Sequence, residues 1–430
     1  MSELDLTDFE VIINVPYTEQ VHKFTANLLY GQLLNCINEY VYNYKKYYGK
    51  SLVFDFSNVK QVEPIVLANL VTLGLGLNKC HRSITIIRNA KGEVANFFSA
   101  SGFKSLVEKE NIYIFENFEM FDNGSWANKI ANSRMFLHYF KFPEKFNDYT
   151  ESDFENFPNI SQKVVEYLVE QLDEYDNRFK INEILNDELA ITDSEFKDLA
   201  ESLNNPVINT IMPLGRERMV QTGVIFKCIL ENIKNAFMHG LKGCVIIVFT
   251  ESLKAKKKEK ISIAVSDIGN GITESMKKKK GLLFDERKIL AFNSRNDLSE
   301  NEKIEYSNNY RYILECIFYR ARKYSGTNKY KTFGIFDIIC SLLDDNDKDT
   351  RAERRVYLHS DKVRLCLTNR FYDTYLKKCK DQKSGDINVS DAADILSKEV
   401  YSFNDDFSYI KLTKKFGGAH FEYEFFVDEK

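Results

Sequence analysis

Glu231 and Asn235 stand four residues apart in the run Glu231-Asn232-Ile233-Lys234-Asn235-Ala236-Phe237-Met238-His239-Gly240. On a helix, that spacing projects both side chains from neighbouring turns of one face. A carboxylate and an amide so placed suit a hydrated divalent cation. The amide oxygen of Asn235 binds the metal, and Glu231 orders or deprotonates a water or hydroxyl. The same pair equally suits an ordinary solvated helix face. About thirty residues on comes Asp267-Ile268-Gly269-Asn270-Gly271-Ile272. Gly269 and Gly271 allow torsions denied to other residues and let a ligand come close to the main chain. Asp267, at a strand end against an apolar wall, can accept a hydrogen bond from the exocyclic amino group of adenine. A glycine-containing turn whose Asp bonds its own backbone is the competing reading.

The elements that must hold these residues are legible around them. Phe226, Ile229, Leu230, Ile233, Phe237 and Leu241 recur at three- and four-residue spacing and predict an amphipathic helix. Val245 to Thr250 and then Ile261, Ile263 and Val265 predict two strands, the second running straight into Asp267. Arg355 to Leu358, Val363 to Leu367, Tyr409 to Lys411 and His420 to Phe426 alternate like antiparallel strands.

Glu231 to Gly240 resembles the N box of the GHKL-type (histidine-kinase-like) ATPases, closest to the anti-sigma-factor serine kinases, in which a Glu is followed by Asn-Ala and a His-Gly pair. Asp267, Gly269 and Gly271 resemble the family's first glycine box, in the family's order. Phe416-Gly417-Gly418-Ala419-His420-Phe421 resembles the Gly-Gly-Thr-x-Phe turn into its last strand. The second glycine box is matched only in part. In Phe333-Gly334-Ile335-Phe336-Asp337, with Gly326 upstream, Thr332 stands in place of the first glycine. A helix starting near Gly334 would still direct its free amides at phosphate. Lys329, Lys331 and Thr332 could add charge and a hydroxyl, or be plain members of a polar loop. Between the boxes lie about sixty residues, including the charged run Lys277 to Lys280 and an expected helix from Ile304 to Tyr324. By analogy this insertion is an ATP lid; a structural extra helix is the alternative.

The resemblance implies an α+β chain. Residues 206–430 would be a C-terminal Bergerat-type α/β sandwich ATPase, a mixed sheet with helices on one face. The cofactors implied are ATP and Mg2+, with Glu231 catalytic, Asn235 the metal ligand, and Asn235, Asp267, Gly269, Gly271, Lys331, Thr332 and Gly334 binding nucleotide.

The other half alternates strands and helices. Val11 to Val15, Ser51 to Phe56, Ile84 to Ile87 and Ile112 to Phe115 read as strands, and Thr25 to Tyr47, Pro64 to Lys79 and Gly92 to Ala100 as helices. With Leu52-Val53-Phe54-Asp55-Phe56-Ser57-Asn58-Val59, then a helix, then Ser101-Gly102-Phe103 after a second one, residues 1–120 resemble a small α/β STAS-like domain, the anti-sigma-factor-antagonist fold. Phosphorylatable members begin the helix after this strand with a hydroxyl-bearing Asp-Ser-Ser-Gly type sequence. Here Glu63-Pro64-Ile65-Val66 lies at that place, so a docking or sensing role is expected, and Pro64 is a good first helical residue. Residues 121–205 are read as a helical connector, with helices near Ser161 to Tyr175 and Thr192 to Leu203 and a surface suited to dimerisation.

The 430 residues, 44% apolar, suffice for two or three domains with their own cores. Eight cysteines contain no Cys-x-x-Cys pair, which fits reduced thiols. The acidic start has no apolar run behind it and no stretch approaches membrane-spanning length, so a soluble cytoplasmic protein with no membrane partner is expected. A net charge of -4 gives no general attraction to nucleic acid, although lysines at 254–260 and 277–280 could form a local patch.

Two functional readings share the same residues. Either ATP is a regulatory ligand or slowly hydrolysed fuel, its binding changing how the N-terminal half, a protein partner or a second copy is presented. Or the chain is a protein kinase, with Glu231 taking the proton from a partner's hydroxyl. Histidine autophosphorylation has one candidate, His138 with Pro143 five residues on, but no acidic residue follows it and its neighbours are aromatic. His239 reads as a packing residue. A nucleotide-free interaction scaffold is the third reading, suggested by Thr332. The pairing of the two resemblances suits stress signalling or prokaryotic antiviral defence.

Overall fold

The stretch from Pro64 to Lys79 carries apolar residues round its whole circumference, and a helix of that kind has to be covered on every side. The computed structural model describes residues 4–80, 84–121, 135–156, 159–160, 163–164, 166–167, 222–253, 258–279, 282, 292, 295–324, 335–344, 353–374, 376–379 and 408–428, and shows what that cover is.

Below the helix lies a first sheet. Its order is β1 (Leu4–Leu6), β2 (Glu10–Asn14), β4 (Ser51–Asp55), β6 (Thr85–Arg88) and β7 (Tyr113–Glu116), with β1 antiparallel to β2 and the rest parallel. The short β3 (Lys23–Phe24) and β5 (Gln61–Val62) pair separately. The helices are α1 (Ala26–Leu28), which runs through a π turn at Leu29–Leu33 into α2 (Leu34–Tyr42), then α3 (Ile65–Cys80), α4 (Glu93–Ala100) and α5 (Phe103–Lys109). The expected strands and helices of this half are therefore present, mostly shifted by a residue or two, while the expected helix from Thr25 to Tyr47 breaks after Tyr42 into a separate 3-10 turn at Tyr44–Tyr47.

Above the helix lies a second sheet, of β8 (Met135–Phe140), β9 (Cys244–Leu253), β10 (Lys258–Asp267), β11 (Glu353–Thr368) and β12 (Ser408–Asp428), in the order β11-β12-β10-β9-β8. Its far face carries α6 (Glu151–Asn156), α7 (Thr222–Asn235), α8 (Gly271–Lys277), α9 (Glu300–Tyr324), α10 (Ile335–Leu343) and α11 (Asn369–Thr374). Alternation divides β10 between the two sides. Ile261, Ile263 and Val265 join Ile229 and Ile233 of α7, Tyr310 of α9 and Ile339 of α10 in one core. On the other side Ala264, with Val245, Ile247, Phe249 and Phe416, joins Val66 and Leu70 of α3 in a second core that continues down to the first sheet. The molecule is thus mixed α/β in four layers, with the N-terminal helices shared by both sheets.

Three expectations change. The second sheet is antiparallel throughout its described strands, where a mixed sheet was expected. It is covered on both faces, because the N-terminal helices need an apolar roof as much as the sheet needs a cover. The stretch 121–205 supplies β8 and α6 to the C-terminal half, and the expected connector helices fall largely outside the described residues. His138 lies in β8, so it is not on a helix of the phosphoacceptor kind. Among the described residues no helix is long and apolar enough to cross a membrane.

The contact between the N-terminal helices and the second sheet is partly polar. Glu422, buried on β12, pairs with Arg364 of β11 and accepts from Tyr30 Oη at 2.7 Å and Asn69 Nδ2 at 3.3 Å. The Arg364 guanidinium lies 4.2 Å from the Tyr357 ring centroid and 5.0 Å from that of Tyr30, and donates to Asn27 Oδ1 at 3.0 Å. Lys260 of β10 pairs with Glu424 and stands 3.6 Å from Glu63, whose other oxygen accepts the Ala26 amide at 2.8 Å. Burial pushes the Glu63 carboxyl up, but Lys260 and the Ala26 amide outweigh it and hold it below its ordinary value. Glu63, the first residue of the Glu63-Pro64-Ile65-Val66 segment, is therefore fixed in this seam.

Removing one member of a buried pair strands the other, at a cost of about 3–5 kcal/mol. Arg364→Ala should lower stability by about that amount in urea unfolding, with both halves melting in one transition. An unchanged midpoint, or two separate transitions, would contradict a shared seam.

Candidate functional site

Helix α7 forms where the apolar spacing predicts it. Ile229, Leu230, Ile233 and Phe237 are buried and Leu241 is partly so; the Phe226 side chain is outside those described. The helix ends in a π turn over Ala236–Gly240 and stops at Leu241, which takes a left-handed conformation (φ 52°). Asn232 donates to the Cys228 carbonyl at 3.0 Å and to the Tyr423 hydroxyl, tying α7 to β12.

Glu231 is only 3% exposed, which removes the solvated-face reading for it. Its Oε1 accepts from Lys234 Nζ at 2.7 Å, while its Oε2 is buried without a hydrogen-bond partner among the described residues. Asn235 is partly buried one turn on. A carboxylate oxygen short of donors next to an amide is a fit for metal-bound water, with Asn235 as the ligand. Among the described residues no three His, Cys, Asp or Glu are grouped to hold a metal. Magnesium commonly takes most of its ligands from water and phosphate, so the donor set fits that ion better than one needing a full protein cage.

Asp267 ends β10 on the face that carries α7. Its Oδ1 accepts the Gly269 amide at 2.8 Å and its Oδ2 the Ala419 amide at 2.9 Å. The turn is crowded with main chain. A Cβ on Gly269 would lie 2.1 Å from the Gly240 carbonyl oxygen, so this glycine is what lets the end of the α7 turn touch the Asp267 turn. Gly418 has φ +88°, and a Cβ there would lie 2.0 Å from the Asp267 carbonyl oxygen. Gly271, where α8 starts, meets Gly418 in the same way. The two segments singled out in the sequence are therefore brought together, and Asp267 makes the local turn bonds of the turn-forming reading. Two lone pairs of the carboxylate are used by amides; the rest suit further N–H donors.

Two residues at the site went unnoticed in the sequence. Ser360 lies at a bulge in β11 and its Oγ accepts the amides of Ile272 at 3.1 Å and Thr273 at 3.4 Å, capping α8. Glu151 of α6 accepts from Ser275 and lies 3.1 Å from His239 Nδ1 and 3.3 Å from Lys279 Nζ. Burial raises its carboxyl, but the bonds from His239 and Ser275 and the charges of His239 and Lys279 bring it down to about 2. A capping box, Thr150 with Asp153, starts its helix and was the available signal.

The remaining expected residues, Lys331, Thr332 and Gly334 with Lys329 and Gly326, lie outside the described residues, although α10 does begin beside them at Ile335. Helix α9 covers the expected Ile304 to Tyr324, and its Tyr310, Ile313, Leu314, Ile317 and Phe318 are buried in the core shared with α7 and α10. That part of the insertion is an integral helix of the fold. Of the lysine run, Lys277 pairs with Glu274 and Lys279 with Glu151.

No family model, curated protein or solved structure matches the chain.

Burial pushes the Asp267 carboxyl up to about 6, against the lowering effect of the Gly269 and Ala419 amides. The folded protein then holds this proton to higher pH than the unfolded chain. The stabilisation belongs to the protonated form, is complete below about pH 4 and is lost as pH rises through about 6. Asp267→Asn stays neutral throughout. The parent should therefore lose about 2–3 kcal/mol relative to this variant between about pH 4 and pH 7, read by urea unfolding at both. A difference that does not vary with pH would rule out the raised carboxyl.

Proposed function

We propose that the C-terminal half binds magnesium ATP and that the chain is a regulatory ATPase, a nucleotide-dependent conformational switch in cytoplasmic signalling or defence. The observation that carries this is a pair of buried carboxylates, Glu231 with one oxygen short of a donor among the described residues and Asp267 held by two main-chain amides, on the α7 side of the second sheet and joined through the Gly240–Gly269 contact. Their family resemblance supplies the roles. Asp267 would accept the adenine amino group with the lone pairs that its two amides leave. Asn235 would ligate magnesium, and the free Oε2 of Glu231 would hold and deprotonate the attacking water, with Lys234 keeping the other oxygen fixed. Magnesium would neutralise phosphate charge there. Gly269 and Gly271 shape the turn, and Lys331, Thr332 and Gly334 would face the phosphates.

The anti-sigma-factor type of serine/threonine kinase uses the same groups, the acceptor being a partner's hydroxyl in place of water. In the N-terminal half the segment Glu63 to Val66 offers no hydroxyl at the corresponding place, so the acceptor would be on a partner. Purified protein with labelled ATP, resolving free phosphate from phosphoprotein with and without partner, separates the two. A protein that binds no nucleotide would be a scaffold.

Glu231→Ala should leave ATP binding near the parent's while slowing turnover about a hundredfold, the usual scale for a positioned base. Asp267→Ala should weaken binding by about 1–3 kcal/mol in calorimetry. Parental turnover in the first variant together with parental affinity in the second would remove the ATP reading.

A further inference from the structure

Asn69 lies in the middle of α3 and is fully buried, among side chains such as Val66 and Leu70 that pack by apolar contact alone. An amide in such a place is costly unless both its ends are bonded. Its partners are on the second sheet. Ser266 donates its hydroxyl to Asn69 Oδ1 at 2.9 Å, and Asn69 Nδ2 donates to Glu422 Oε1 at 3.3 Å. Ser266 immediately precedes Asp267 and points to the opposite face of β10. Glu422 lies three residues past Ala419, whose amide holds Asp267 Oδ2. One side chain from the N-terminal half thus clasps β10 and β12 where these strands hold Asp267 between them.

We infer that Asn69 is a positioning residue for the candidate site, fixing the end of β10 against the middle of β12 so that the Asp267 carboxylate stays aligned, and making nucleotide affinity sensitive to the state of the N-terminal helices. The alignment stands by itself; the effect on affinity rests on the ATP reading above. Reciprocity follows: whatever displaces α3 weakens nucleotide binding, and bound nucleotide resists that displacement.

Asn69→Ala, Ser266→Ala, their double variant and Tyr30→Phe in the full chain test this. Tyr30→Phe removes a bond to the same Glu422 oxygen and leaves the tie to Ser266 intact. Without nucleotide, hydrogen exchange over residues 266–271 and 417–421 should speed up in both Asn69→Ala and Ser266→Ala and stay at the parental rate in Tyr30→Phe. With ATP, each of the first two should weaken affinity about fivefold, the double variant should weaken it no further, and turnover at saturation should be unchanged. Parental exchange in either single variant, an equal effect in Tyr30→Phe, or additive losses in the double variant would overturn the inference. Faster exchange in both single variants of a parent that binds no ATP would retain the positioning role and remove the ATP reading alone. Parental affinity in Asn69→Ala, when the parent does bind, would remove the link to affinity.

Discussion

Everything in this molecule depends on one layer of helices being buried from both sides. Helix α3 has no polar stripe to turn to solvent, so the first sheet alone cannot satisfy it. The second sheet has the complementary need, since Val245, Ile247, Phe249 and Ala264 would otherwise form an exposed apolar face. Each half covers what the other leaves open. The polar seam of Glu422, Arg364, Tyr30, Asn69, Lys260 and Glu63 then fixes the relative position, because directional bonds between buried groups tolerate little sliding.

The candidate site follows from that arrangement. Asp267 belongs to a strand whose two faces serve different neighbours, Val265 packing among the outer helices and Ser266 meeting α3. Main chain, more than side chain, shapes its surroundings, with glycines where β10, β12 and the α7 turn converge. The bulge at Ser360 completes it by turning a hydroxyl onto the start of α8. A turn built from main chain in this way leaves little room for side chains, as the Cβ clashes at Gly269 and Gly418 show.

Much of this was legible because it is local. The periodicity of Ile229, Ile233 and Phe237 located α7, the alternation of Ile261, Ile263 and Val265 located β10, and the glycines marked the turn after Asp267. What stayed hidden depends on distance. Nothing near Met135 to Phe140 says that this segment joins a strand beginning at Cys244. The all-round apolar character of Pro64 to Lys79 announced burial without naming the partner. Glu151 and Ser360 reach the site only through tertiary contacts. The antiparallel order of the second sheet is likewise set by which distant segments pair, and the local pattern is the same for either direction.

The seam also constrains the order of events during synthesis. Tyr30 and Glu422 are separated by 392 positions in the chain, and Asn69 and Glu422 by 353. The first sheet and its helices emerge from the ribosome long before β12, the last of the described strands. For that interval the upper side of α3 is an uncovered apolar face with an amide awaiting its partners, on a nascent chain slow to complete its long-range pairings. The seam closes only when β12 brings Glu422 to Tyr30 and Asn69, so the last of the described strands completes the burial that the first helices require.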